Sequence, residues 1–251
     1  MAELAGRTAL VTGASSGLGA RFATVLGQAG ANVVLAARRR DRLKELTDQL
    51  IAKGVSALAV EMDVTDESSI RQAYDVAQQK FGVIDTIVAN AGMNVEGAAL
   101  DLDPDAFDAL YAVNVRGVFL TVREGARRLI AAADHKPGRV VIISSIGATT
   151  VLPGLAAYCA TKAAVQQLGR VLAREWVNRR VNVNMLAPGY IETELNADWF
   201  ASEGGKRQVQ RFPRKRLMDI CSLDGLLLYL ASDASEHVTG SVFPVDDGQT
   251  L

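Results

Sequence analysis

The chain has 251 residues, 49% of them hydrophobic, which is enough to bury a substantial core. Its 27 Lys and Arg stand against 28 Asp and Glu, a net charge of −1, so no global field gathers nucleic acid or an anionic membrane surface. Two isolated cysteines, Cys159 and Cys221, exclude a disulfide scaffold and fit a reducing compartment, and His135 and His237 lack ligand-spaced neighbours, so no metal site is expected.

No basic segment followed by an apolar signal-type run opens the chain, and no apolar stretch is long enough to span a bilayer, so a cytoplasmic location without a membrane partner is expected. Strands are expected at Thr8–Thr12, Asn32–Ala36, Ser56–Met62, Thr86–Ala89, Arg139–Ser144, Val181–Ala187 and Ser241–Pro244. Most are apolar on successive residues, the pattern of strands covered on both faces of a parallel sheet. Helices are expected between them at Arg21–Ala29, Arg42–Lys53, Glu67–Phe81, Pro104–Ala132, Ala157–Trp176 and Ser222–Ala231. Asp103-Pro104 reads as an N-cap followed by proline at the first helical position. This alternation predicts an α/β doubly wound Rossmann fold, with residues 1–251 as one dinucleotide-binding and catalytic domain. Residues 189–217 break the rhythm: they are long, polar and charged, and they follow a strand end, where a substrate lid would sit.

The first strand runs into Thr12-Gly13-Ala14-Ser15-Ser16-Gly17-Leu18-Gly19, and a helical pattern follows. Glycines there allow a tight turn and let backbone N–H groups approach a pyrophosphate at the helix N-terminus. The spacing is G-x-x-x-G-x-G, and the Gly-Lys-Ser/Thr of a Walker loop is absent. An acidic residue ending the second strand would favour NAD(H) by bonding the adenosine ribose. Here the strand ends Ala36-Ala37-Arg38-Arg39-Arg40. Arg38 can pair with a 2′-phosphate through its planar fork, which favours NADP(H), while Arg39 and Arg40 read as the start of the next helix on a solvated face.

Tyr158-Cys159-Ala160-Thr161-Lys162 places tyrosine and lysine one turn apart on a helix face. Tyrosine is a poor base at its usual pKa of about 10, and a cation within roughly 4–6 Å lowers it by about 1–3 units. That makes the pair a candidate acid/base catalyst. Ser145, thirteen residues earlier, ends the fifth strand and can donate to a carbonyl oxygen beside the tyrosine.

Taken with these, the ordered elements Thr12–Gly19, Asp63-Val64, Asn90-Ala91-Gly92, Asn114, Ser145, Tyr158/Lys162 and Pro188-Gly189 resemble the short-chain dehydrogenase/reductase family, in its short single-domain branch, over essentially the whole chain. The resemblance implies a seven-stranded parallel sheet with helices on both faces, a homotetramer, and a small carbonyl or alcohol substrate. It implies Tyr158 as general acid in reduction and general base in oxidation, and Lys162 as the residue that binds the nicotinamide ribose and depresses the tyrosine pKa. It implies that Ser145 polarises the substrate oxygen and that Asn114 holds a water in the proton relay. Gly13, Ser15, Ser16, Gly17, Leu18 and Gly19 would cradle the phosphates. Asp63 and Val64 would meet the adenine, and Asn90 and Gly92 the adenosine ribose and cofactor channel. Pro188, Gly189, Ile191 and Thr193 would fix the nicotinamide carboxamide.

The sequence departs from the family at two places. Ala89 stands where many members have a second Asn, and Arg216–Leu223 lacks the glycine- and glutamate-rich turn of members that reduce acyl-carrier substrates. The basic group Lys206, Arg207, Arg211, Arg214, Lys215 and Arg216 reads as a solvated face, or as a contact for an acidic carrier or anionic substrate. Cys159 reads as packing, Trp176 as core or interface, and Trp199 and Phe200 as lid residues or substrate contacts. The leading function is an NADP(H)-dependent carbonyl reductase or alcohol dehydrogenase. The alternatives are an NAD-dependent alcohol dehydrogenase and a non-catalytic cofactor-sensing regulator, and the complete catalytic set speaks against the last.

Overall fold

The computed structural model describes residues 4–132, 136–194 and 196–251; His135 and residue 195 of the expected lid lie outside them. Seven parallel strands form one sheet in the order β3-β2-β1-β4-β5-β6-β7. They are β1 (Thr8–Thr12), β2 (Asn32–Ala37), β3 (Ala57–Glu61), β4 (Thr86–Ala89), β5 (Gly138–Ile143), β6 (Val181–Pro188) and β7 (Val242–Val245). The helices are α1 (Gly17–Gln28), α2 (Arg40–Ala52), α3 (Glu67–Phe81), α4 (Pro104–Tyr111), α5 (Val118–Ala131), α6 (Ala156–Trp176), α7 (Ala197–Ala201), α8 (Glu203–Arg211) and α9 (Asp224–Ala231).

Adjacent strand residues serve opposite cores, which is why the strands read as unbroken apolar runs. Val11, Val33 and Leu35 pack under α1, α2 and α9 with Phe22, Leu43 and Leu227. Leu10, Val34 and Ile87 pack on the other face with Ile70 and Tyr74 of α3, Val122 of α5 and Val165 of α6. Each such side chain removed from water contributes about 1.5–3 kcal/mol.

The strand order reverses between β1 and β4, so the connections leave their C-terminal ends in opposite directions and open a crevice there. The glycine loop follows β1 and Asn90-Ala91-Gly92 follows β4, so both reach that crevice.

Three expectations need correction. The helix expected from Arg21 begins at Gly17, because the second half of the glycine loop is already its first turn. The helix expected across Pro104–Ala132 is interrupted by a π-helical segment, Ala112–Gly117, between α4 and α5. The polar stretch after β6 carries α7 and α8, anchored by buried Phe200 and Phe212.

Candidate active site

A cleft of about 1380 Å³ lies over the C-terminal ends of the strands. Gly13, Ser15, Ser16, Gly17, Leu18, Gly19, Arg38, Asp63, Val64, Asn90, Gly92, Ser145, Tyr158, Lys162, Pro188, Gly189, Ile191 and Thr193 all line it. Of the expected site residues only Asn114 does not; it is buried behind the wall.

The glycine loop is built for close approach. Gly13 and Gly17 adopt φ of +67° and +51°, and a Cβ on Gly19 would collide with the carbonyl oxygen of Gly13. The first turn of α1 holds no acidic residue, and its N-cap Ser16 makes no side-chain capping bond. The leading N–H groups and the positive end of the helix dipole therefore remain available to an anion. These features fit the pyrophosphate of a dinucleotide.

Arg39 departs from its expected place on the solvated face. Its Nε donates to Ser15 Oγ at 3.0 Å and its Nη2 to Ser16 Oγ at 2.5 Å, so it lies over the glycine loop. It also faces Glu194 at 3.6 Å, a carboxylate that Arg42 holds at 2.7 Å. Arg40 pairs with Glu61 on the surface, as expected. Arg38 is exposed at the rim, where its charge acts on Asp63. Burial raises the Asp63 carboxyl, but bonds from the Thr65 N–H and hydroxyl, with Arg38, hold it below the usual range.

The catalytic candidates meet at the ends of β4 and β5. Ser144 Oγ donates to Lys162 O at 3.1 Å and accepts from Gln166 Nε2 at 3.1 Å, fastening α6 to the end of β5. The neighbouring Ser145 lines the same cleft as Tyr158, and its hydroxyl accepts the Gly147 N–H at 3.0 Å. Lys162 Nζ donates to Ile143 O at 3.0 Å and lies 5.6 Å from the Tyr158 ring centroid. The Asn114 amide donates to Met93 O at 3.0 Å and to Thr161 Oγ1 at 3.2 Å, and its Oδ1 accepts the Met93 N–H at 2.9 Å. Both amide protons are thus committed to clamping the loop after β4 and the Tyr158–Lys162 turn to the π segment. Asn90 is committed as well, since its Nδ2 donates to Thr12 O at 2.9 Å.

A family model for short chain dehydrogenases matches residues 7–204, most of the chain and nearly all of this cleft. The chain belongs to the short-chain dehydrogenase/reductase family. The oxidoreductase UcpA of Escherichia coli strain K12 is 34% identical over 260 residues, covering 100% of this chain and 97% of that one. A solved short-chain type dehydrogenase/reductase from Mycobacterium marinum has a TM-score of 0.92 at 35% identity, covering 99% of this chain and 97% of the other. A gluconate 5-dehydrogenase from Burkholderia cenocepacia J2315, solved in complex with NADP and tartrate, has a TM-score of 0.93 at 34% identity, covering 99% and 96%.

In this short-chain dehydrogenase the charges on the central pair do not follow the simple expectation. Burial pushes the Tyr158 phenol above its ordinary value, and the Ser145 hydrogen bond pulls it only partly back. Burial likewise pushes Lys162 down to about 8. The expected depression of the tyrosine by the lysine is therefore absent here: desolvation disfavours the charged form of each group and is the leading cause of both shifts.

The short-chain dehydrogenase also brings to the cleft residues outside the family motifs, among them Trp199, Arg207 and Arg211 of the expected lid and basic group. Val151 and Leu152 form an apolar edge of the cleft, and Tyr190, Trp199, Gln208, Arg207 and Arg211 form another. Tyr190 stacks on Phe212 with centroids 5.3 Å apart, and Gln208 hydrogen-bonds both Tyr190 and Trp199 Nε1. Gln249 braces the strand end after β6: its Oε1 accepts the Tyr190 N–H at 2.6 Å and its Nε2 donates to Tyr190 O at 3.2 Å. Only the i, i+4 spacing of Arg207 and Arg211 was a usable signal for these. Cys159 is half-buried with its thiol pushed up by burial, consistent with packing, and Trp176 packs half-buried on the core. Among the described residues no helix is long and apolar enough to cross a membrane.

Proposed function

We propose that this oxidoreductase uses NADP(H) to interconvert a ketone or aldehyde and its alcohol, with Tyr158 as the acid and base. The observation that carries the reading is Tyr158 with Ser145 and Lys162 beside it, in the same cleft as the glycine loop. The nicotinamide, when bound, supplies or accepts the hydride. In reduction Tyr158 donates its proton to the substrate oxygen while the Ser145 hydroxyl steadies that oxygen by a second hydrogen bond. In oxidation Tyr158 takes the proton back. Lys162 holds the ribose hydroxyls and, when protonated, works against the burial that keeps the Tyr158 phenol protonated. Because the Asn114 side chain is committed, any water it holds for the relay rests on its backbone.

NADP(H) is favoured over NAD(H) because no carboxylate ends β2, while Arg38 lines the cleft there and Arg39 reaches the serines of the phosphate loop. A homotetramer in a reducing cytoplasm fits the family and the two free thiols. Residues 189–217, with α7 and α8, are read as the substrate lid.

Replacing Tyr158 by Phe keeps the ring and removes the proton. Carbonyl reduction is expected to fall by about 10²-fold or more; a near wild-type rate would falsify the acid/base assignment. Arg38→Ala is expected to lower kcat/KM for NADPH by about tenfold or more while sparing NADH, and an initial preference for NADH would sink the cofactor assignment.

A further inference from the structure

The α8 face turned to the cleft is Gly204, Arg207, Gln208 and Arg211, the spacing of one helical stripe. A short helix covering an apolar pocket would set apolar side chains there. This one sets two guanidiniums a turn apart with an amide between them. Of the rest of the local basic group, Lys215 is exposed and does not line the cleft, and the other three have acidic partners. Lys206 pairs with Glu203 at 2.9 Å, and Arg214 and Arg216 hold Asp247 at 3.2 and 2.9 Å. Among the described residues Arg207 and Arg211 make no ion pair or hydrogen bond. The acids of the cleft do not answer them: Asp63 is engaged by Thr65, Glu194 by Arg42 and Arg39, and Glu96 accepts from Asn94 at 3.2 Å.

Two unpaired planar forks lining the cleft match a small oxyanion, which each can hold by two parallel hydrogen bonds. We propose that the substrate of this enzyme is anionic, a keto acid or ketone phosphate and the corresponding alcohol, anchored by Arg207 and Arg211 with its carbonyl at Tyr158. Arg207 and Arg211 are then specificity-determining residues. The inference rests on the redox reading above. The reaction balances as one hydride, which carries both electrons, to the carbonyl carbon from the reduced nicotinamide and one proton to the oxygen from Tyr158.

The test is steady-state reduction with NADPH of matched pairs that share a carbonyl and differ in charge. The pairs are acetoacetate and its methyl ester, levulinate and its methyl ester, and dihydroxyacetone phosphate and dihydroxyacetone. The charged member of at least one pair is expected to show kcat/KM higher by about tenfold or more, and the pair that responds tells carboxylate from phosphate. The double variant Arg207→Gln, Arg211→Gln should remove that gain through KM, with kcat, turnover of the neutral member and KM for NADPH unchanged. Neutral members equal to or better than their anions, or a variant that raises KM for NADPH instead, would overturn the proposal while leaving the redox reading standing. If no carbonyl is reduced, the redox reading is what fails. The anion site is then read by calorimetry with succinate and glycerol phosphate on the NADPH-loaded enzyme: binding of either that weakens about tenfold in the double variant supports it, and absent or unchanged binding of both overturns it.

Discussion

Lys162 is a cation kept where its charge is poorly solvated, and that placement has a measurable cost. Its folded pKa of about 8 lies below the unfolded 10.5 because of burial. Below pH 8 both states carry the proton and the desolvation penalty is present in full. Between the two values the unfolded chain holds a proton that the folded chain has released, so wild-type stability rises with pH across that window. Lys162→Met is therefore expected to abolish turnover yet raise stability at neutral pH by about 1–3 kcal/mol. Denaturation midpoints measured against pH should show that gain shrinking as the pH passes from 8 to 10.5. Tyr158 shifts the other way. Its raised pKa keeps it protonated at neutral pH, ready as an acid and handicapped as a base. Pre-steady-state hydride transfer should accordingly change little for reduction between about pH 7 and about pH 9, and rise with pH for oxidation. A reductive rate falling steadily across that range would contradict the burial argument.

At the scale of elements, the π segment between α4 and α5 aims Asn114 inward at the loop after β4. Replacing Asn114 by Ala strands the Met93 N–H and C=O behind the cleft wall. The expected loss is about 2 kcal/mol in chemical denaturation, with a fall in kcat because the Tyr158–Lys162 turn loses its tie through Thr161. The sequence foretold Asn114 but not its setting. The apolar period runs on through residues 105–132 with no internal proline, and Gly117 and Gly125 suit close helix packing as well as a break, so neither marks a change of helical pitch. The strands were legible because burial on both faces writes itself as consecutive apolar residues, as in Val33-Val34-Leu35. The glycine loop and the tyrosine–lysine turn were legible because their spacing is set by backbone geometry alone. Arg39 was not, since three successive arginines do not reveal which one folds back onto Ser15 and Ser16. The pKa directions were also hidden, because they depend on how much of the molecule closes over each group. Nor could α7 and α8 be foreseen: their hold on the body comes mainly from two separated side chains, Phe200 and Phe212.

For the molecule as a whole, a ligand at free concentration L that binds only the folded state stabilises it by RT ln(1 + L/Kd), so at equal concentration the tighter ligand raises the unfolding temperature more. Equal concentrations of NADPH and NADH in a thermal melt should give the larger shift with NADPH. The difference should collapse in the Arg38→Ala, Arg39→Ala double variant, and because the measurement needs no substrate it isolates the cofactor assignment from the chemistry. A buried network at the opposite end of the sheet supplies a control. Arg7 and Asp85 pair at 3.1 Å with both side chains nearly excluded from water, and Asp85 also accepts the Thr8 N–H. Asp85→Ala should cost about 3–5 kcal/mol by leaving Arg7 without that partner, while cofactor preference is unchanged. Gln249 carries a more practical consequence. Two residues before Leu251, it grips both backbone groups of Tyr190, next to the stretch expected to hold the nicotinamide. Residues appended beyond Leu251 would lie close to that grip, whereas a handle ahead of β1 enters at the N-terminal end of a central strand, away from the cleft, so kinetic work on this enzyme is best done with the handle at the front.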